Sequence, residues 1–277
     1  MVLASASRAD PPQVPMQIDI DGETFGVEVR GHGPPLVLLH GFPLDRTMWR
    51  AQLDFFSTSR RVIAPDLRGF GTSVVTPGKV TMEQMAEDCR RLLEKLEIAE
   101  PVALCGLSMG GYVAWQFASR YGDRLSRLVQ CDTRALGDSP EAAANRLKLA
   151  EHVLQYGTEA LATAMLPKLF APGTPRIRPE VVAAVQQMIA VAPPAGAAAA
   201  QHGMAARPDV SAWLGSLRVP TLLVVGAHDA ISPPDEMRGI AQAIPGASVQ
   251  VIEGAGHMAP MENPAAVNRA ISDFLAA

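Results

Sequence analysis

The sequence ALCGLSMGGYVAWQFA, residues 103–118, places one serine among three glycines between an apolar run and a predicted helix. Glycine inside a helix or strand costs roughly 0.5–1 kcal/mol relative to alanine, so this cluster needs a compensating role. Ser108 is the centre of a G-x-S-x-G pattern over residues 106–110, in the strand–turn–helix context that the pattern requires. We therefore predict that Ser108 is a nucleophile on a sharp turn, where the amides of the following helix favour negative charge.

A serine hydroxyl is a weak nucleophile unless a base and an orienting acid activate it. Among the six histidines, His257 is the best candidate base, because it follows an apolar strand and several small residues and precedes a predicted helix. Two candidate acids end apolar runs: Asp229 follows TLLVVGAH, and Asp132 follows LSRLVQC. The chain order Ser108, Asp229, His257 favours Asp229, with Asp132 as the alternative.

Backbone N–H groups are predicted to stabilise the negative oxygen that forms during acyl transfer. One donor should follow the nucleophile, at Met109, and the other should come from the loop LLHGFPL, at Phe42. Loss of one such donor typically lowers the rate by about 10²–10³. In the segment APDLRGFGTS we interpret Asp66 as a structural residue that ties its loop through Arg68.

Runs of strand length alternate with helical patterns along most of the chain, which is typical of an α/β fold with a mostly parallel sheet. PPLVLLHG, RRVIAPDLRG, EPVALCG, LSRLVQCD and PTLLVVGAHD are nearly continuous apolar runs, as expected for strands buried on both faces. MQIDIDGETFGVEVRG alternates around Asp21-Gly22 and predicts a hairpin. Helices are predicted over residues 81–97, 111–120 and 264–276.

Residues 134–212 interrupt the alternation with alanine-rich helical patterns. We interpret them as a helical cap inserted into one α/β core, residues 16–133 and 213–277, which follows a flexible tail, residues 1–15. The cap is expected to form the substrate pocket, and its few charges there favour small uncharged substrates. The candidate pocket residues are Leu136, Leu161, Met165, Leu169, Met188 and Met204.

Composition narrows the function further. The chain has 277 residues, of which 48% are hydrophobic and 19% charged, as in an ordinary globular protein. A net charge of −4 without a basic patch argues against nucleic acid and anionic membranes as partners. Three scattered cysteines and the lack of a signal-peptide pattern suggest reduced thiols and a cytoplasmic location. We expect a small-molecule substrate and no metal or other cofactor. A homo-oligomer stays open.

The segments HGFP, PDLRGFGTS, GLSMGG, GAHDAISPP and GAGHMAPMENP resemble successive blocks of the α/β-hydrolase superfamily over about residues 16–277. Within it, the chain looks most similar to the group of small esterases, 3-oxoadipate enol-lactonases and cofactor-free haloperoxidases. The resemblance implies an eight-stranded, mostly parallel sheet flanked by helices, with a helical cap over the site. It also argues against haloalkane dehalogenases and epoxide hydrolases, which have aspartate where Ser108 lies.

The predicted activity is therefore that of a cofactor-free serine hydrolase that cleaves small carboxylic esters or lactones through an acyl-enzyme. Three alternatives stay open on the same residues. The triad could hydrolyse a C–C bond in a diketone, or form peracids as a perhydrolase of the haloperoxidase type. The fold could also serve a non-catalytic ligand-binding receptor that keeps an idle triad.

Overall fold

The computed structural model describes residues 15–277, so nearly all of the predicted tail, residues 1–14, lies outside the described residues. The strands are β1 (Met16–Ile20), β2 (Glu23–Arg30), β3 (Pro35–Leu39), β4 (Arg61–Pro65), β5 (Val102–Leu107), β6 (Leu125–Cys131), β7 (Thr221–Gly226) and β8 (Ser248–Ile252). They form one sheet in the order β1-β2-β4-β3-β5-β6-β7-β8. Only β2 runs antiparallel to its neighbours, which confirms the eight-stranded, mostly parallel sheet.

Helices cover both faces of this sheet. They are α1 (Arg50–Phe56), α2 (Met82–Lys95), α3 (Met109–Arg120), α4 (Pro140–Tyr156), α5 (Glu159–Leu169), α6 (Thr174–Ile177), α7 (Pro179–Val191), α8 (Pro194–Ala205), α9 (Pro234–Ala243), α10 (Ala259–Glu262) and α11 (Pro264–Ala276). Successive side chains of a strand point to opposite faces, so a continuous apolar run serves two cores. On β3, Leu36 and Leu38 pack in the core that includes α1 and α11, whereas Val37 and Leu39 pack in the core of α2 and α3.

Local sequence signals set several element boundaries as predicted. Asp21 and Gly22 both have positive φ, 56° and 85°, in the tight turn that joins β1 to β2. Thr81 caps α2, because its hydroxyl accepts a hydrogen bond from the Gln84 N–H at 3.2 Å. Asn263 caps α11 in the same way, through a 3.3 Å bond from the N–H of Ala266.

Five helices, α4 to α8, lie between β6 and β7, and we call residues 140–205 the helical insertion. Helix α8 lies directly on loops of the sheet domain. A Cβ added to Gly196 would overlap the Gly69 carbonyl, and one added to Gly203 would overlap the Val80 carbonyl. The glycines therefore allow backbone to touch backbone along this side of α8. The division of the chain into core and cap stays an interpretation of the sequence.

No single helix within residues 15–277 is long and apolar enough to cross a membrane. Helices α7 and α8 reach the required length and composition only as a pair, and that pair is bent by 96°. Apolar side chains of both helices, such as Val185 and Ile189 on α7 and Ala197 on α8, are buried inside the molecule.

The predicted pairing of Asp66 with Arg68 is wrong. Asp66 forms an ion pair with Arg46 and accepts a hydrogen bond from the N–H of Thr72 at 2.8 Å. Arg68 instead contacts Asp88 on α2, with a 2.7 Å bond between Nη2 and Oδ1. The two side chains leave the loop after β4 in different directions, which sequence adjacency does not reveal.

Candidate active site

Ser108 lies between the end of β5 and the start of α3, with φ of 51° and ψ of −111°. A non-glycine residue in so sparsely populated a region costs on the order of 1–3 kcal/mol, and its surroundings must hold it there. A Cβ on Gly106 would overlap the Gly110 carbonyl, and one on Gly110 would overlap the carbonyl of Leu39. Glycine at these two positions therefore permits the sharp turn that presents the Ser108 hydroxyl in front of the helix N-terminus.

Loops after β5, β7 and β8 meet at the carboxyl edge of the sheet and bring three side chains together. His257 Nε2 lies 2.9 Å from the hydroxyl oxygen of Ser108. On the other side of the ring, His257 Nδ1 lies 2.9 Å from Oδ2 of Asp229. The structure thus joins Ser108, His257 and Asp229, the three residues singled out from the sequence, in one continuous hydrogen-bonded chain.

The Asp229 carboxylate is held by four donors. Oδ1 accepts hydrogen bonds from the N–H groups of Ile231 and Ser232 at 2.8 and 3.0 Å. Oδ2 accepts hydrogen bonds from the Ser232 hydroxyl at 3.1 Å and from His257 Nδ1 at 2.9 Å. Burial acts to raise the pKa of Asp229, but His257 and these amides outweigh it, so the pKa lies below its ordinary value. An ionised Asp229 makes Nδ1 of His257 the donor, which leaves Nε2 free to accept the Ser108 proton.

Asp132, the alternative acid, does not take part in the hydrogen bonds that join Ser108, His257 and Asp229. Its Oδ1 accepts the N–H of Gly226 at 2.8 Å, and its buried Oδ2 has no hydrogen-bond partner within residues 15–277. Burial, and then the nearby charges of Asp229 and Cys131, raise the pKa of Asp132 well above its ordinary value. A protonated carboxyl bonded to the β7 backbone is poorly suited to orient an imidazolium.

The predicted oxyanion donors are the backbone N–H groups of Phe42 and Met109. Met109 is the first residue of α3, and Phe42 lies on the loop after β3 that lines the same cavity. Neither N–H donates to another protein group within the described part of the chain. The Phe42 loop is anchored by buried His40, whose Nε2 accepts the Leu67 N–H at 2.9 Å and whose Nδ1 donates to the Gly41 carbonyl. Burial lowers the pKa of His40, consistent with this neutral tautomer.

A cavity of about 190 Å³ opens beside Ser108 and His257. Its other lining residues are Gly41, Phe42, Leu44, Leu107, Tyr112, Arg146, Leu149, Met165, Leu169, Gln201, Met204, Ile231 and Met258. Three candidate pocket residues, Met165, Leu169 and Met204, are among them. All three belong to the helical insertion, on α5 and α8, so the insertion supplies much of the wall.

Leu136, Leu161 and Met188, also predicted to line the pocket, are not part of its wall. Leu136 precedes α4 and is 47% exposed to solvent. Leu161 and Met188 are buried in the core that includes α1 and α11, and the Met188 sulfur lies 3.4 Å from the Thr47 hydroxyl on the segment after β3. Helical spacing identifies an apolar side chain but does not tell whether it faces a cavity or a neighbouring helix.

Arg146 and Gln201 also line the cavity, although neither was among the predicted pocket residues. Arg146 Nη1 donates to the Gln201 side-chain oxygen at 3.2 Å, and its Nε donates to Asp138. Asp138 also pairs with buried Arg207, at 2.6 Å. Asp138 therefore holds both arginines, and of the two only Arg146 reaches the cavity wall. Leu149, three residues after Arg146 on α4, lies on the same side of the helix and also lines the cavity. This i, i+3 spacing is the sequence feature that could have placed Arg146 at the pocket.

Within residues 15–277, no group of three or more histidine, cysteine, aspartate or glutamate side chains is placed to hold a metal ion. The arrangement can instead support nucleophilic attack by an activated serine, with a base, an orienting acid and two backbone donors around one cavity.

A sequence model of the alpha/beta hydrolase fold matches residues 34–264. The chain belongs to the α/β-hydrolase family. This α/β hydrolase is 27% identical to 3-oxoadipate enol-lactonase 2 of Acinetobacter baylyi over 90% of each chain. Its structure is similar to that of a thermophilic esterase from Thermogutta terrifontis with malate bound, with a TM-score of 0.92 and 49% identity over 95% of this chain and 98% of the esterase. The enol-lactonase from Burkholderia xenovorans gives a TM-score of 0.88 and 31% identity over 95% of this chain and all of that chain.

Proposed function

We propose that this α/β hydrolase is a serine hydrolase that cleaves small carboxylic esters or lactones through an acyl-enzyme. The observation that carries the proposal is the chain Ser108–His257–Asp229, with 2.9 Å on both sides of the imidazole, beside a cavity. The similarity to an esterase and to enol-lactonases over nearly the whole chain supports the same reaction class.

In the proposed reaction, His257 Nε2 takes the proton of Ser108 as the hydroxyl oxygen attacks the substrate carbonyl. The carbonyl oxygen becomes negative and accepts hydrogen bonds from the N–H groups of Phe42 and Met109. The imidazolium, stabilised by Asp229, then gives its proton to the leaving alkoxide as the C–O bond breaks. A water molecule, deprotonated by the same imidazole, attacks the acyl-enzyme, and its proton finally returns to Ser108.

The cavity defines the proposed substrates. Its volume of about 190 Å³ suits a short acyl chain or a small lactone better than a long lipid chain. Most of its wall is apolar, with methionines that adapt to different shapes. Arg146 and Gln201 add a polar end, so the pocket can also hold an acyl group that carries a carboxylate.

The test starts with a panel of p-nitrophenyl esters of rising acyl length and a set of simple lactones, assayed with wild-type protein, Ser108→Ala and Ser119→Ala. Ser119 is an exposed serine on the same helix α3 and serves as the matched control. We expect the highest kcat/KM for short acyl chains, retained activity in Ser119→Ala and none above background in Ser108→Ala. A fluorophosphonate, which loses fluoride to an activated serine, should add its phosphonyl group at Ser108 by peptide mass spectrometry.

Several outcomes would contradict the proposal. Full activity in Ser108→Ala, or an adduct on another serine, would exclude Ser108 as the nucleophile. Faster turnover of a vinylogous diketone than of any ester would favour C–C hydrolysis. A chain that binds these compounds without hydrolysing any of them, and that resists the fluorophosphonate, would be a receptor.

A further inference from the structure

Glu262, at the end of α10, bridges the histidine loop and the helical insertion. Its side chain is buried, and Oε2 accepts the N–H of Gly256, the residue before His257, at 2.7 Å. Its other oxygen, Oε1, accepts the N–H of Ala171 at 2.8 Å and the hydroxyl of Thr174 at 2.6 Å. One carboxylate therefore connects the backbone beside the candidate base to the segment between α5 and α7.

Two further bonds join the same parts of the molecule. On the other side of His257, the N–H of Met258 donates to the Leu169 carbonyl at 3.2 Å. Arg178, at the start of α7, donates to the carbonyls of Met261 and Glu262 at 3.1 and 2.9 Å. Leu169 and Met258 both line the cavity, so these bonds join the pocket wall to the loop that carries His257.

The Glu262 carboxylate is buried without a positively charged partner, which suggests a role beyond packing. Within the described residues, the Glu262 carboxylate forms no salt bridge, and its three partners are two amides and a hydroxyl. A buried carboxylate is costly unless donors satisfy it, and an apolar side chain of similar size would pack without that cost. The three donors converge on the two oxygens from both sides, and a glutamine could satisfy only one side.

We infer that Glu262 is a positioning residue that holds His257 against Ser108 and couples the pocket wall to the base. The inference rests on the proposed function, because it assigns Glu262 an effect on the reaction of Ser108. Glu262 does not touch the reacting atoms. It fixes the backbone at Gly256, and through it the direction from which Nε2 of His257 approaches the hydroxyl.

Glu262→Gln and Thr174→Val form a matched pair for testing this. In Glu262→Gln an NH₂ group replaces one oxygen, so either the Gly256 side or the insertion side loses its acceptor. Thr174→Val removes only one insertion-side donor and leaves the bond to Gly256 in place. Misplacement of a catalytic group by about 1 Å can cost about 100-fold in rate, so we expect a loss in kcat of roughly 10- to 100-fold in Glu262→Gln.

Ester hydrolysis is measured per active site, counted by fluorophosphonate titration, with thermal unfolding recorded for each variant. For Glu262→Gln we expect the loss in kcat with KM changed by less than about threefold, since the cavity wall itself is intact. Thr174→Val should lower Tm but keep the wild-type kcat.

A lower Tm in Glu262→Gln, with wild-type kcat per titrated site and an unchanged KM, would show a merely structural role and overturn the inference. If Glu262→Gln does not fold, Glu262→Asp provides the test, because it keeps the carboxylate but shortens the side chain by one CH₂ group, so that it cannot reach Gly256 and Ala171 together. A wild-type kcat in that variant would also overturn the inference. Failure of the proposed function looks different, since wild-type protein would then show neither hydrolysis nor labelling.

Discussion

Replacement of Asp229 by asparagine changes one group in the hydrogen-bonded triad with His257 and Ser108. The structure determines where the NH₂ group of the new amide points. Oδ1 of Asp229 accepts two backbone N–H groups, from Ile231 and Ser232, so an asparagine must keep its oxygen there. Its NH₂ group then takes the place of Oδ2 and faces Nδ1 of His257. Nδ1 must become an acceptor, and the ring proton moves to Nε2, where it blocks transfer from the Ser108 hydroxyl.

This change of tautomer should lower kcat by about 10⁴, the loss seen when serine proteases undergo the same exchange. At about 1.36 kcal/mol for each factor of ten, that is about 5.4 kcal/mol of transition-state stabilisation. Folding should suffer much less, because the two backbone bonds to Oδ1 survive.

The assay is the initial rate of hydrolysis of a short p-nitrophenyl ester, with the reaction of Ser108 with a fluorophosphonate followed in parallel. Asp132→Asn is the matched control, since it makes the same chemical change at a buried carboxyl whose Oδ1 bonds to Gly226 instead of to His257. We expect kcat within about threefold of wild type in Asp132→Asn. A near-normal Asp229→Asn together with a crippled Asp132→Asn would reverse the assignment and refute the tautomer argument.

Two further predictions concern the pocket wall and the buried acid. Arg146→Gln should lower kcat/KM for monomethyl glutarate about 10- to 100-fold relative to methyl 5-oxohexanoate, its uncharged counterpart, because a charge-assisted bond contributes about 1.5–3 kcal/mol. The two rates are measured in a pH-stat assay, and an unchanged ratio of kcat/KM values would show that Arg146 does not contact the acyl group. Asp132→Asn should raise the free energy of unfolding in urea at pH 8 more than at pH 5. The raised pKa of Asp132 means that the protonated form is favoured by folding, so its contribution is present at low pH and is lost as pH rises above about 4. Equal effects of the substitution at both pH values would contradict this.

The sequence predicts the backbone of this protein well because local chemistry determines it. Continuous apolar runs are typical of strands buried on both faces, and β3 and β5 follow that rule along their whole length. The turn at Ser108 is predicted because glycines flank a single serine between a strand and a helix. Each of these signals is contained within about ten residues.

Side-chain partners are harder to predict, because they depend on how distant segments pack. Asp132 and Asp229 both follow apolar strands, and only the folded arrangement determines which carboxylate meets Nδ1 of His257. Arg146 has the sequence context of a solvated helix residue, yet α4 packs against α8 so that it reaches the cavity. Glu262 follows His257 by five residues, and nothing local reveals that its partners include Ala171, some 90 residues earlier.

The contact between α8 and the loops beneath it has a consequence for redesign of the substrate range. Gly196 and Gly203 leave no room for larger side chains, so libraries that randomise this side of α8 should yield mostly misfolded protein. Met165 lines the cavity from α5, outside this glycine contact, which makes it the better target for saturation mutagenesis. Evolution of new specificities in this enzyme should therefore keep Gly196 and Gly203 while changes accumulate at cavity-lining positions such as Met165.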